Sequence, residues 1–266
     1  MPTSNEKREE FSQAVKPIKD AIKGALDKEK AELAEIRKEA EGAEYKKLLL
    51  ADQMIYITTL YMAINSLSVQ ILEFKNNDAL NDARKCIYKV LIYLEEVVSN
   101  IVDCPYSDLA PRLEKIANVP VDKRLYLVRK LGLAIKLLTD AFGDNSKWKW
   151  SFVEIRGRFA VVAKNMINMK EAAKDYFDPN SPNYEPSVLY VRLIRKLLDQ
   201  CAMDYRDKYE LSSRRVDDMQ QAINLLIANR RVSMVLSDSE MSEEIRKKAL
   251  AWKNKLDADT KSGASK

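Results

Sequence analysis

Apolar residues recur along most of this chain at gaps of three and four, the spacing that lines one face of an α-helix. The pattern is densest at residues 48–72, LLLADQMIYITTLYMAINSLSVQIL, where twenty consecutive positions between Asp52 and Glu73 carry no charge. A membrane span needs roughly 20 mostly apolar residues, so length alone would allow one. Polar groups at Gln53, Thr58, Thr59, Asn65, Ser66, Ser68 and Gln70 surround most of the helix and favour a central helix buried by other helices.

Ahead of it, Phe11, Val15, Ile18 and Ile22 follow gaps of 4, 3 and 4, a heptad stripe. The phase slips near Leu26 and resumes at Leu33, Ile36, Ala40 and Ala43, with Pro17 expected to start or kink the helix. The first 47 residues hold 11 basic and 11 acidic groups, so this is a long charged helix with a thin apolar seam. Phe11, Val15, Ile18, Ile22, Leu33 and Ile36 are the candidate association seam. Its partner is either another helix of this chain or a second copy.

Downstream, Leu80, Ala83, Ile87, Val90, Leu94, Val97 and Ile101 share one face, with capping residues at Asn76, Asn77 and Asp78 and a stop at Pro105. A short helix is expected between 107 and 120. The next carries Leu127, Leu131, Ala134, Leu138 and Phe142 and closes in a turn at 143–146. Trp148, Trp150 and Phe152 alternate like a strand, but Trp148, Phe152, Ile155, Phe159, Val162, Met166, Met169 and Ala173 fit one helix better. Three prolines make 177–187 a linker or long loop. Two further stripes follow it, and Ser237 with Glu240 forms a capping box for a last helix.

The fold class is therefore all-α, a bundle of about eight helices. It divides into the charged N-terminal helix (1–45), a bundle core (46–177), C-terminal helices packed on it (178–258) and a disordered tail (259–266).

Composition narrows the chemistry. Six glycines and eight prolines suit a helix-rich fold, and the net charge of +5 is small against 45 basic and 40 acidic residues. The absence of histidine excludes histidine-based nucleophilic sites, histidine-ligated zinc and the Glu-x-x-His di-iron pattern. The scattered glycines form no phosphate-cradling loop or dinucleotide fingerprint. Cys86, Cys104 and Cys201 are widely spaced and read as buried structural thiols in a reducing compartment. The opening MPTSNEKREE has no hydrophobic signal core, so a cytoplasmic protein is expected.

Charge is unevenly spread: residues 48–110 hold 4 basic and 8 acidic groups, residues 111–177 hold 14 and 7. The second segment is also rich in aromatics. Its cations are expected to form a solvated face. The alternative is a surface for nucleic acid or an anionic membrane, with Lys147, Lys149, Trp150, Arg156 and Arg158 as the candidate contact. Trp150 lies off the apolar stripe, and an exposed tryptophan between Lys149 and Arg156 would mark a contact site. Asp52, Glu95, Asp199 and Asp204 are the carboxylates that could meet inside a bundle, yet no spacing among them demands a metal. Arg230, Arg231 and Ser233 match a basophilic kinase site of low specificity. The leading expectation is a non-enzymatic interaction or scaffold protein, self-associating or protein-binding, with no cofactor, metal or small-molecule substrate.

Overall fold

A computed structural model describes residues 4–39, 41–143 and 146–263 of the chain. Residues 1–3, Ala40 of the N-terminal stripe, Asp144 and Asn145 of the expected turn, and tail residues 264–266 lie outside the described residues. Among the described residues the fold is all-α, with ten α-helices and two five-residue π-helical segments. The helices fall in two compact units, Met1–Val97 with Arg129–Ser146, and Val98–Val128 with Lys147–Lys266.

The first unit contains α1 (Asn5–Lys38), α2 (Ala43–Leu67) with a π-helical continuation (Ser68–Leu72), and α3 (Asn77–Val97). α1 starts twelve residues before Pro17 because Ser4 Oγ accepts from Lys7 N at 3.2 Å, and Pro17 sits inside the helix. Its 34 residues span about 51 Å at 1.5 Å per residue. α1 packs along α2 and the π-helical segment, and α3 returns antiparallel along α2. The return is fixed at one end by Lys47 and Glu96, 2.8 Å apart, and at the other by Asn76 N donating to Asn65 Oδ1 at 2.9 Å.

The polar residues of α2 are satisfied locally. Gln53 donates to the Ala25 carbonyl of α1, Thr58 to Met54 O, and Ser68 to Phe74 O. These bonds let the uncharged stretch sit among helices at little desolvation cost. Leu50, Ala51, Met54, Ile55 and Ile57 are buried on it. The run Ala43–Leu72 is long and apolar enough to cross a membrane by length and composition, and 39% of its most apolar 18-residue window is buried in this fold.

The second unit contains α4 (Tyr106–Glu114), the start of α5 (Val121–Phe142), α6 (Lys149–Asn165), α7 (Met169–Phe177), α8 (Tyr184–Lys208) with a π-helical end (Tyr209–Ser213), α9 (Val216–Val235) and α10 (Ser239–Lys261). The rest of α5 belongs to the first unit. α8 is the hub here: α6, α7 and α9 all pack on it, and α10 packs on α9. Tyr190, Val191, Ile194, Leu198, Cys201 and Ala202 fill that hub and are almost fully buried.

Several boundaries differ from the sequence pattern. The stripe from Trp148 to Ala173 is two helices, because Asn168 accepts from the backbone N–H groups of Lys170 and Glu171 and starts α7 afresh. α3 stops at Val97, well before Pro105, and Ile101 is exposed. The chain is bent there by Asn165, whose amide donates to the carbonyls of both Ser99 and Ile101. The proline-rich loop shrinks to residues 178–183, since Tyr184 already opens α8. α10 runs through Lys261, and Asp259, expected in a disordered tail, accepts from Tyr209 OH at 2.8 Å.

Close packing in the second unit turns on Gly157, where a Cβ would stand 2.5 Å from the buried Tyr205 ring. Gly24 on α1 has open space at the same position. Gly157→Ala is expected to lower stability by about 1–2 kcal/mol, overpacking strain less the gain in helix propensity. Gly24→Ala should raise it by about 0.5–1 kcal/mol. Denaturant titration of both variants checks the pair, and a stabilised Gly157→Ala would contradict the packing.

Candidate association surface

α1's apolar stripe is placed against its own chain. Val15 and Ile22 are buried, and Phe11, Ile18, Leu33 and Ile36 are half-buried. The same face carries Glu29, 2% exposed, which accepts from Tyr93 OH at 2.5 Å and from Lys89 Nζ at 2.8 and 2.9 Å. Burial of the Tyr93 ring, together with the Glu29 carboxylate beside it, pushes that phenol well above its usual range. A buried carboxylate needs such partners, since leaving it unpaired would cost several kcal/mol.

The basic aromatic segment divides in two. Lys147 and Lys149 are exposed and stand over the rings of Trp148 and Trp150, at 5.3 and 5.0 Å from the centroids. Trp150 is half-buried. Arg156 Nε donates to Asp204 at 2.9 Å, so its charge is offset, and Arg158 is half-buried. Phe152 and Phe159 belong to the core. Of the candidate carboxylates, Asp52 pairs with Lys130, Asp199 with Lys248 and Asp204 with Arg156, while Glu95 is half-buried. Among the described residues no three His, Cys, Asp or Glu side chains gather as a metal site. Ser233 is fully buried within α9, out of reach of a kinase in the folded chain.

A different surface stands out on the first unit. On α2, Tyr45, Leu49, Asp52 and Tyr56 follow gaps of 4, 3 and 4, and the three apolar members are 48, 57 and 52% exposed. On α5, Lys130, Leu133 and Leu137 form a matching stripe, with the leucines 57 and 44% exposed. The Asp52–Lys130 ion pair joins the two stripes side by side. At the far end Lys75 Nζ donates to Phe142 O at 3.3 Å, so this part of α5 runs in the same sense as α2. Five large apolar side chains thus bracket one ion pair on an open face.

These stripes had a signal in the sequence. Leu133 and Leu137 are out of phase with the core positions Leu131, Ala134 and Leu138, which makes them surplus to the core. On α2 the signal is hidden, because Tyr45, Leu49 and Tyr56 stand among further apolar residues such as Leu48, Leu50 and Ile57.

The sequence profile of the TP0443 family matches residues 7–260, spanning parts of α1 through α10. The chain belongs to the TP0443 family. Comparison with curated proteins and with solved structures returned no match. The TP0443 family's description names no activity, so any functional reading of this TP0443-family chain rests on its own residues.

Cysteine chemistry in the TP0443-family chain is subdued. All three thiols are free and buried. Burial pushes both Cys86 and Cys201 up to about 12, chiefly by desolvating the thiolate. The reactive form is the thiolate, and a raised pKa keeps the thiol protonated through neutral and mildly alkaline pH. Native protein treated with a maleimide at pH 8 should leave Cys86 and Cys201 unmodified, with all three cysteines labelling once the chain is unfolded. Mass spectrometry of the peptides reads this out, and rapid native labelling at either position would contradict the burial.

Proposed function

We propose that this TP0443-family protein is a non-enzymatic helical interaction protein of the reducing cytoplasm that associates with a second copy of itself through the α2/α5 surface. The single observation that carries the reading is the pair of adjacent exposed stripes, Tyr45, Leu49 and Tyr56 beside Leu133 and Leu137. Large apolar side chains left exposed on neighbouring helices favour burial against a partner. The ion pair inside it carries both signs, with Asp52 and Lys130 side chains 48 and 32% exposed. A two-fold arrangement can therefore set each charge near its opposite in the other copy, which is what a self-complementary interface requires. The α1 stripe is a weaker candidate, because α2 and the π-helical segment already pack against it.

A second reading has one observation in its favour. Lys147 and Lys149 extend from half-buried tryptophans on an exposed edge, an arrangement suited to phosphates of nucleic acid or an anionic membrane. Pairing of Arg156 with Asp204 reduces the charge available there.

Native mass spectrometry and light scattering of purified protein test the proposal. The wild type is expected as a dimer, and Leu133→Glu with Leu137→Glu as a monomer with unchanged helical content. Those exposed sites should tolerate the charge with little loss of stability. A wild-type monomer at every concentration would overturn the reading, and co-purified nucleic acid on a monomer would favour the second.

A further inference from the structure

At the C-terminal end of α6 the second unit forms a half-open pocket of about 190 Å³. Its floor is apolar, with Leu109 from α4, Ile167 after α6 and Val232 from α9, all buried. Its charged lining is Lys164, Lys170 and Arg231 against one carboxylate, Asp103. That carboxylate is engaged, since Arg231 Nη1 lies 2.5 Å from Asp103 Oδ1. Lys170 stands over the Tyr106 ring at 4.5 Å, and Tyr106 OH accepts from Asn168 Nδ2 at 3.1 Å, which together make one wall.

Lys164 is the anomaly. It sits half-buried on the last turn of α6, and burial pushes its ammonium below the usual lysine range. Asp103 opposes that shift while Arg231 adds to it. With Asp103 already engaged by Arg231, the pocket lining carries more positive than negative charge beside its apolar residues.

We infer that this pocket binds a small organic acid, with its carboxylate on Lys164 and Lys170 and its apolar body on Leu109, Ile167 and Val232. That volume is well above the roughly 10–15 Å³ a single water needs on the same kind of measure, which leaves room for a short organic acid. Inorganic phosphate could satisfy the cations but would leave the apolar floor wet, so it should bind more weakly. Longer acids would extend through the open mouth and gain little further contact with that floor. This site is independent of the α2/α5 surface, which belongs to the other unit.

Calorimetric titration of the full chain with butyrate, hexanoate, decanoate and inorganic phosphate tests the inference. Saturable binding is expected for butyrate or hexanoate, weaker for phosphate and no tighter for decanoate. Lys164→Met should weaken it at least tenfold, and Lys164→Gln serves if the first variant does not fold. Lys253→Ala, which removes an exposed cation of α10 outside the pocket, should leave it unchanged. Absence of saturation by both short acids to about 10 mM would overturn the assignment. So would unchanged binding in the folded Lys164 variant, equal binding of phosphate, or loss of binding in Lys253→Ala.

Discussion

The first unit depends on a desolvation constraint. A helix with twenty consecutive uncharged residues has to be covered, and the coverage must also satisfy its polar side chains. Gln53, Asn65 and Ser68 meet that condition by bonding to α1, to the start of α3 and to the turn between them. Charged α1 can then join an apolar helix because its inward carboxylate, Glu29, finds Lys89 and Tyr93 waiting on α3. Remove that arrangement and a helix of mixed charge would have little reason to lie on α2 rather than in water.

The second unit solves a similar problem with different means. Its hub, α8, is charged on its outer face through Arg192 and Lys196, so nothing in its composition marks it as central. Burial of Tyr190, Ile194 and Leu198 comes from helices on three sides. Arg124 reinforces the frame by donating to the carbonyls of Ile116, Val119 and Met166, tying loose chain ends where no helix supplies partners. That use of an arginine is structural: its donors are directed at backbone, and burial lowers its pKa.

Fold class was legible because 3.6-residue periodicity survives in nearly every segment, including α6, where alternating Trp148, Trp150 and Phe152 competed with it. Boundaries set by tertiary hydrogen bonds were not. The end of α3 depends on Asn165, and the α6–α7 break on an asparagine cap inside an apolar stripe that itself continues in phase. Glu29 and Lys164 were invisible for another reason. Each is one charge among many on a helix, and only the neighbours brought by folding decide which charge is desolvated. The exposed leucines of α5 were readable as surplus to the core stripe, whereas on α2 the exposed Tyr45, Leu49 and Tyr56 stand beside buried apolar residues such as Leu48, Leu50 and Ile55 and do not separate from them by sequence.

These elements together describe a helical protein with exposed apolar residues on α2 and α5. The account rests on α2 being covered on one side by its own chain in water. Hydrogen–deuterium exchange of the purified protein in detergent-free buffer, read by mass spectrometry over residues 50–58, tests this most directly. Exchange there should rank among the slowest in the first unit and be unaltered by added lipid vesicles. Rapid exchange in buffer, with protection gained only when vesicles are present, would contradict it.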